Sequence, residues 1–141
     1  MYYVNRDQID LRLRFIPTVA ETLRRLKAEW REGDPVQRFA LERLVHLAAE
    51  CVTDVGTYVI DGFLMRDAGS YEDIIDIIHG EKAISDELRP RLAELVGQRK
   101  PLVQQYFQMD EERLAPFLDW LPGTLEAFAA EITAYIEKEL G

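Results

Sequence analysis

Apolar residues recur at three- and four-residue intervals along almost the whole chain, the rhythm of helices that bury one side. Ile9, Leu13, Ile16, Ala20, Leu23 and Leu26 set the pattern, and Asn5 is placed to cap a helix starting at Arg6. Pro17 falls inside this run. It has no N–H and crowds the preceding turn, so a bend or a division near Phe15 is expected. Gly33-Asp34-Pro35 reads as a turn and a second helix start. From Leu41 through Val45, Val52 and Val59 to Phe63 an apolar stripe then holds for roughly eight turns at 3.6 residues each, which predicts a spine for the domain.

Asp67-Ala68-Gly69-Ser70 interrupts the pattern, and Ser70 with Asp73 resembles a capping box, with Asp in place of the usual Glu or Gln. The pairs Ile74-Ile75 and Ile77-Ile78, separated by Asp76, follow a helical rather than an alternating rhythm, and Gly80 can end that short helix. Ser85-Asp86-Glu87-Leu88 opens another helix through Leu92, Leu95 and Val96, which Gly97 is expected to stop. Pro101 then fits the first position of a new helix, leaving Arg99 in the connection and Gln104 in the first turn. Asp110 can cap a last helix from Glu111, broken by Pro116 and Pro122-Gly123. Without strand pattern, internal repeat or low-complexity segment, the fold class is all-α. It is an up-and-down bundle of about five helices in a single domain over 1–141, with apolar faces broad enough to predict a homodimer.

With 48% hydrophobic and 30% charged residues in 141, the composition is that of a globular domain rather than a disordered chain. The lone Cys51 has no disulfide partner within the chain, so a reducing, cytoplasmic compartment is expected. No charged-then-apolar leader and no uninterrupted apolar stretch of about 18 residues appears, so neither export nor a membrane is expected. A formal charge of −9 works against general attraction to a polyanion, so any RNA site has to be local. A basic partner, or one bringing its own cationic surface, suits this balance better.

The candidate chemistry lies in Arg99-Lys100-Pro101-Leu102-Val103-Gln104-Gln105-Tyr106. If a helix starts there, Arg99, Lys100 and the free N–H groups of its first turn face one volume that suits a phosphate. Tyr106, seven residues after Arg99, falls on the same side of a helix; a packing tyrosine is the alternative. Arg43, Glu50, Asp54, Thr57 and Asp61 form one polar strip along the second helix. Either Glu50 and Asp54 face the Arg99 region and orient its guanidinium, or the strip is an exposed face with ordinary pairing. His46, four residues after Glu42, is expected to pair with it, and His79 to end its short helix; neither has metal-ligand company.

Three passages together resemble one family. Leu41 to Gly56 is similar to the long second helix of the HEPN superfamily, and Asp61-Gly62-Phe63 with Met65 to Tyr71 to a junction in its HepT-like branch. Arg99, position 104 and Tyr106 match the spacing of that branch's motif of arginine, histidine, any residue and tyrosine. The resemblance implies an all-helical homodimer, the toxin half of a bacterial toxin–antitoxin pair. It further implies a metal-independent ribonuclease whose antitoxin, a small nucleotidyltransferase, transfers AMP to the motif tyrosine. Carried over, Arg99 stabilises phosphate and Tyr106 accepts AMP. The motif histidine is replaced by Gln104, whose amide hydrogen-bonds but moves no proton near neutral pH. Three readings follow: an endoribonuclease toxin acting through Arg99, Gln104 and Tyr106; a catalytically weak or inactive helical dimer that binds protein or nucleotide; and a di-metal carboxylate bundle, which lacks the Glu-x-x-His pairs such bundles use.

Overall fold

The computed structural model describes residues 2–141, and among them every regular element is helical. In chain order these are α1 (Arg6–Ala28), α2 (Pro35–Gly62), α3 (Tyr71–Gly80), α4 (Leu88–Val96), α5 (Arg99–Gln104), a 3-10 turn (Tyr106–Gln108), α6 (Glu111–Leu114) and α7 (Phe117–Leu140). Five of them have nine residues or more, the bundle expected from the sequence. No helix is long and apolar enough among the described residues to cross a membrane.

The caps form where short polar side chains precede apolar runs. Asn5 accepts from the Gln8 N–H at 3.3 Å, Asp34 from Val36 at 2.9 Å, Ser70 from Asp73 at 3.1 Å and Asp110 from Glu112 at 2.9 Å. The Asp73 carboxylate reaches back to the Gly69 N–H at 2.9 Å rather than to Ser70, and Arg66 binds both its oxygens at 2.7 and 2.8 Å. Ser85 Oγ takes the Leu88 N–H at 3.3 Å.

Two proline expectations are corrected. α1 runs unbroken through Pro17, which lies on its exposed side while Ile16, Val19 and Ala20 are buried on either flank. Pro122 is likewise inside α7, between the buried Leu121 and Leu125; only Pro116 marks a break, separating α6 from α7. In both helices, burial of the neighbouring apolar residues offsets one missing backbone hydrogen bond.

α2, about 42 Å long at 1.5 Å per residue, is the spine. α1 packs along both α2 and α7, α3 and α4 pack on each other and on α2, and α5 and α6 lie against it. The core unites Ile9, Leu23, Val52, Ile75, Leu92 and Phe128, all without accessible surface. At Gly56 α2 meets α3 so closely that a Cβ would collide with the Ile74 side chain. α2 and α3 each end on a residue with positive φ, Leu64 (57°) and Lys82 (64°). Beyond them Met65 N–H bonds Ile60 O at 3.0 Å and Ala83 N–H bonds Ile78 O at 2.8 Å, the 6→1 closure of a Schellman end.

Candidate functional site

The α4–α5 junction differs from the sequence expectation. Gly97 has φ −61° and Gln98 φ −81°, both right-handed helical, and Leu102 N–H bonds Gln98 O at 3.0 Å. α5 therefore continues the course of α4 with only a loosened turn between them, and Arg99 is its first helical residue rather than part of a connection. Pro101 stands third. No capped helix start opens there, so the free N–H groups predicted beside Arg99 and Lys100 give way to side-chain chemistry.

Arg99 is turned towards α2. Its Nε donates to Glu50 Oε1 at 2.7 Å, and its guanidinium carbon lies 3.8 Å from the centre of the Tyr71 ring at the start of α3. A planar, delocalised cation suits both contacts at once, the edge on a carboxylate and the face on a ring. Its two terminal nitrogens donate to no described residue and remain free for an anion. The same Glu50 oxygen lies 3.2 Å from His46 Nε2, one helical turn back along α2. His46 is thus paired with Glu50, not with Glu42 as expected. Glu42 faces Arg38, with Nε to Oε2 at 3.7 Å, and burial raises its carboxyl above the usual range.

The polar strip on α2 divides by direction. Glu50 takes Arg99 from α5, whereas Asp54, one turn on, takes Arg12 from α1, with Nε to Oδ2 at 3.0 Å and the guanidinium over Tyr58. Thr57 turns its hydroxyl back to Thr53 O at 2.9 Å. Arg43 is exposed and pairs with no described carboxylate. His79 ends α3 as expected and meets Asp86 at 2.8 Å. Cys51 is buried beside Arg12 O, and burial pushes its thiol up to about 12.

Beside this cluster a groove of about 580 Å³ opens between α2 and the turn after α5. Arg38, Arg43 and His46 line one wall, and Tyr106 and Phe107 the other. Tyr106 begins the 3-10 turn, is 67% exposed, and meets Phe107 edge-on with ring centres 5.5 Å apart. It is no half-buried packing tyrosine. Gln104 and Lys100 are exposed, and neither makes a side-chain bond to a described residue. Arg99 does not line the groove; it stands behind His46 and is joined to it through Glu50. Among the described residues no three His, Cys, Asp or Glu side chains gather as metal ligands.

Sequence reasoning missed the Tyr71 stack, the part of Arg38 and Phe107 in the groove, and the turning of His46 towards Glu50. His46 and Glu50 carried a signal, their four-residue spacing, but Glu42 and His46 carry the same one.

The model of the family described as Ribonuclease HepT-like matches residues 13–132, from within α1 to within α7. The chain belongs to the HepT-like ribonuclease family. This HepT-like chain is 38% identical over 141 residues to the Bacillus subtilis (strain 168) protein named "Putative RNase YutE", covering all of this chain and 96% of that one. The solved structure of YutE, described as a cytosolic protein of unknown function, superposes with a TM-score of 0.87 at 36% identity, over 100% of this chain and 96% of that one. A tri-AMPylated HEPN toxin of Shewanella oneidensis, solved in complex with its MNT antitoxin, shares the fold. It has a TM-score of 0.81 at 15% identity, covering 89% of this chain and 96% of that one. The HEPN, HepT-like resemblance seen in the three sequence passages holds for family and fold alike.

Proposed function

We propose that this HepT-like protein is the toxin-type member of a toxin–antitoxin pair, a metal-independent endoribonuclease controlled by a nucleotidyltransferase that AMPylates Tyr106. The observation that carries the reading is the Arg99 guanidinium. It is fixed by Glu50 and Tyr71 with its terminal nitrogens unspent, next to a groove walled by Arg43, His46 and Tyr106. Such a cation stabilises the charge that grows on a phosphate under attack by the neighbouring 2′-hydroxyl. Its local character fits the −9 chain, because Arg38, Arg43 and His46 share one groove with a single acidic side chain, Glu42.

Tyr106 supports the regulatory part, since its phenol is open to a second protein. In that transfer the phenol oxygen bonds to the α-phosphorus of ATP, pyrophosphate leaves and the phenol proton passes to solvent. The added phosphate and adenosine would fill the groove mouth, blocking RNA by bulk and by charge. The solved complex of a tri-AMPylated HEPN toxin with its antitoxin lends this reading its precedent of fold. A homodimer is supported by the apolar side chains bared along this groove, Phe39 at 58% and Phe107 at 70% exposure. The exposed Gln104 favours the second reading, a binding module without cleavage, because an amide at the motif position moves no proton.

Incubation of the purified protein with total RNA, followed by mapping of the new ends, separates the two. Cleavage that disappears in Arg99→Ala is the expected result, and absence of any Arg99-dependent cleavage overturns the ribonuclease. Incubation with a partner nucleotidyltransferase and ATP should add adenylyl mass to the parent and none to Tyr106→Phe.

A further inference from the structure

The ribonuclease reading leaves one group unsupplied. Cleavage through the 2′-hydroxyl needs an acceptor for its proton, and Gln104 cannot be one. Tyr106 is a poor substitute, since its ring is exposed and no described residue bonds the phenol to orient it as a base. His79, the other histidine, is engaged with Asp86 near the far end of α3 and does not line the groove.

His46 meets the requirement on geometry. It projects from α2 into the groove wall opposite Tyr106, with about a quarter of its side chain exposed. The Glu50 side chain accepts a hydrogen bond from Nε2 at 3.2 Å, which goes with the tautomer that carries the proton on Nε2 and the free lone pair on Nδ1. No described residue bonds Nδ1. A carboxylate holding one ring nitrogen while the other faces substrate is the arrangement that orients a histidine base and steadies the imidazolium it becomes. Here the same oxygen also holds Arg99, so the proton acceptor and the phosphate-binding cation are set in register by a single atom.

We propose that His46 is the catalytic base of this protein, taking over from α2 the proton transfer that the motif position no longer supplies. The proposal rests on the ribonuclease reading above. The 2′-hydroxyl proton passes to His46 Nδ1, the 2′-oxygen bonds to phosphorus, and the bond from phosphorus to the 5′-oxygen breaks. The leaving oxygen takes a proton from water, giving a 2′,3′-cyclic phosphate and a 5′-hydroxyl end. His46 then returns its proton to solvent. Arg38, Glu42, Arg43 and Glu50 on α2, Arg99 on α5 and Tyr106 on the turn are the ionisable groups that face or adjoin this imidazole.

The test compares RNA cleavage by the parent, His46→Gln and His79→Gln, with end chemistry mapped and rates taken from pH 5 to 9. Glutamine at 46 can still donate to Glu50 but cannot move a proton. A base at this position predicts a fall of about 100-fold or more in His46→Gln, with His79→Gln, which removes the histidine outside the groove, within about threefold of the parent. It also predicts a parent rate that climbs on the acid side in step with the His46 imidazole titration, followed by NMR and assigned with His79→Gln. This last measurement needs no variant at 46 and stands even if His46→Gln unfolds. Cleavage retained in His46→Gln, or an acid limb that departs from the imidazole titration, overturns the assignment and leaves the ribonuclease intact. A parent that cuts no RNA at any pH overturns the ribonuclease and this assignment together.

Discussion

Glu50 and Arg99, 49 positions apart, are joined by a 2.7 Å bond from Nε to Oε1 that ties α5 to the middle of α2. Their side chains keep 33% and 26% of their surface, so the pair is screened less than a surface ion pair and desolvated less than a core one. Glu50→Gln and Arg99→Gln, singly and together, should show a coupling of about 0.5–2 kcal/mol in chemical unfolding. Because Glu50 also fixes His46, Glu50→Gln is expected to lower RNA cleavage by about 10- to 100-fold while the fold persists. A coupling indistinguishable from zero would mean that Glu50 does not hold Arg99 in solution.

The fold was legible where causes are local. Asn5, Asp34, Ser70 and Asp110 announce helix starts because a short polar side chain bonds an N–H two or three residues on, and all four do so. The prolines misled because the penalty for a missing hydrogen bond is local while the compensation is not: Ile16 and Val19 beside Pro17, and Leu121 and Leu125 beside Pro122, are buried by distant helices. Gly80 did mark the end of α3, although the left-handed residue that closes it is Lys82, and the end of α2 gave no such cue, since there Leu64 takes the conformation usually left to glycine. In the site, spacing offered Glu50 and Asp54 together as facing Arg99; Glu50 does face it, while Asp54 turns to Arg12, and α5 ends before Tyr106, which lines a groove that Arg99 does not. The partner of His46 did not follow from spacing. Glu42 and Glu50 lie at equal steps from it, and the choice is made by an arginine arriving from another helix, a contact no local pattern records.

The crossing of α2 and α3 gives a direct check on packing. A Cβ at Gly56 would collide with the methyl of Ile74, itself only 5% exposed, whereas one at Gly123 on the outer side of α7 meets nothing within 4 Å. Gly56→Ala should therefore destabilise the protein by about 1–3 kcal/mol through overpacking. Gly123→Ala should stabilise it by about 0.5–1 kcal/mol, because alanine loses less conformational freedom in a helix. Urea unfolding of both variants measures the contrast. Equal effects of one sign would show that the close approach at Gly56 is not maintained in solution.

Asp73 ties the start of α3 to the segment before it and should make that tie depend on pH. The bidentate Arg66 bond, then the Gly69 N–H, hold its carboxyl at about 2, below the ordinary aspartate value near 4. A carboxyl with a depressed folded-state pKa gives its stabilisation in full above the unfolded-state value and loses it as pH falls through the folded one. The melting temperature of Asp73→Asn should thus lie below that of the parent by a constant margin from pH 7 to about 5, and the margin should narrow towards pH 2, where the parent carboxyl is itself protonated. Arg66 keeps its charge over this whole range, so the narrowing reports Asp73 alone. Thermal unfolding of both proteins at each pH decides the matter: a margin unchanged down to pH 2 would mean that the Arg66 pair contributes nothing to the folded state.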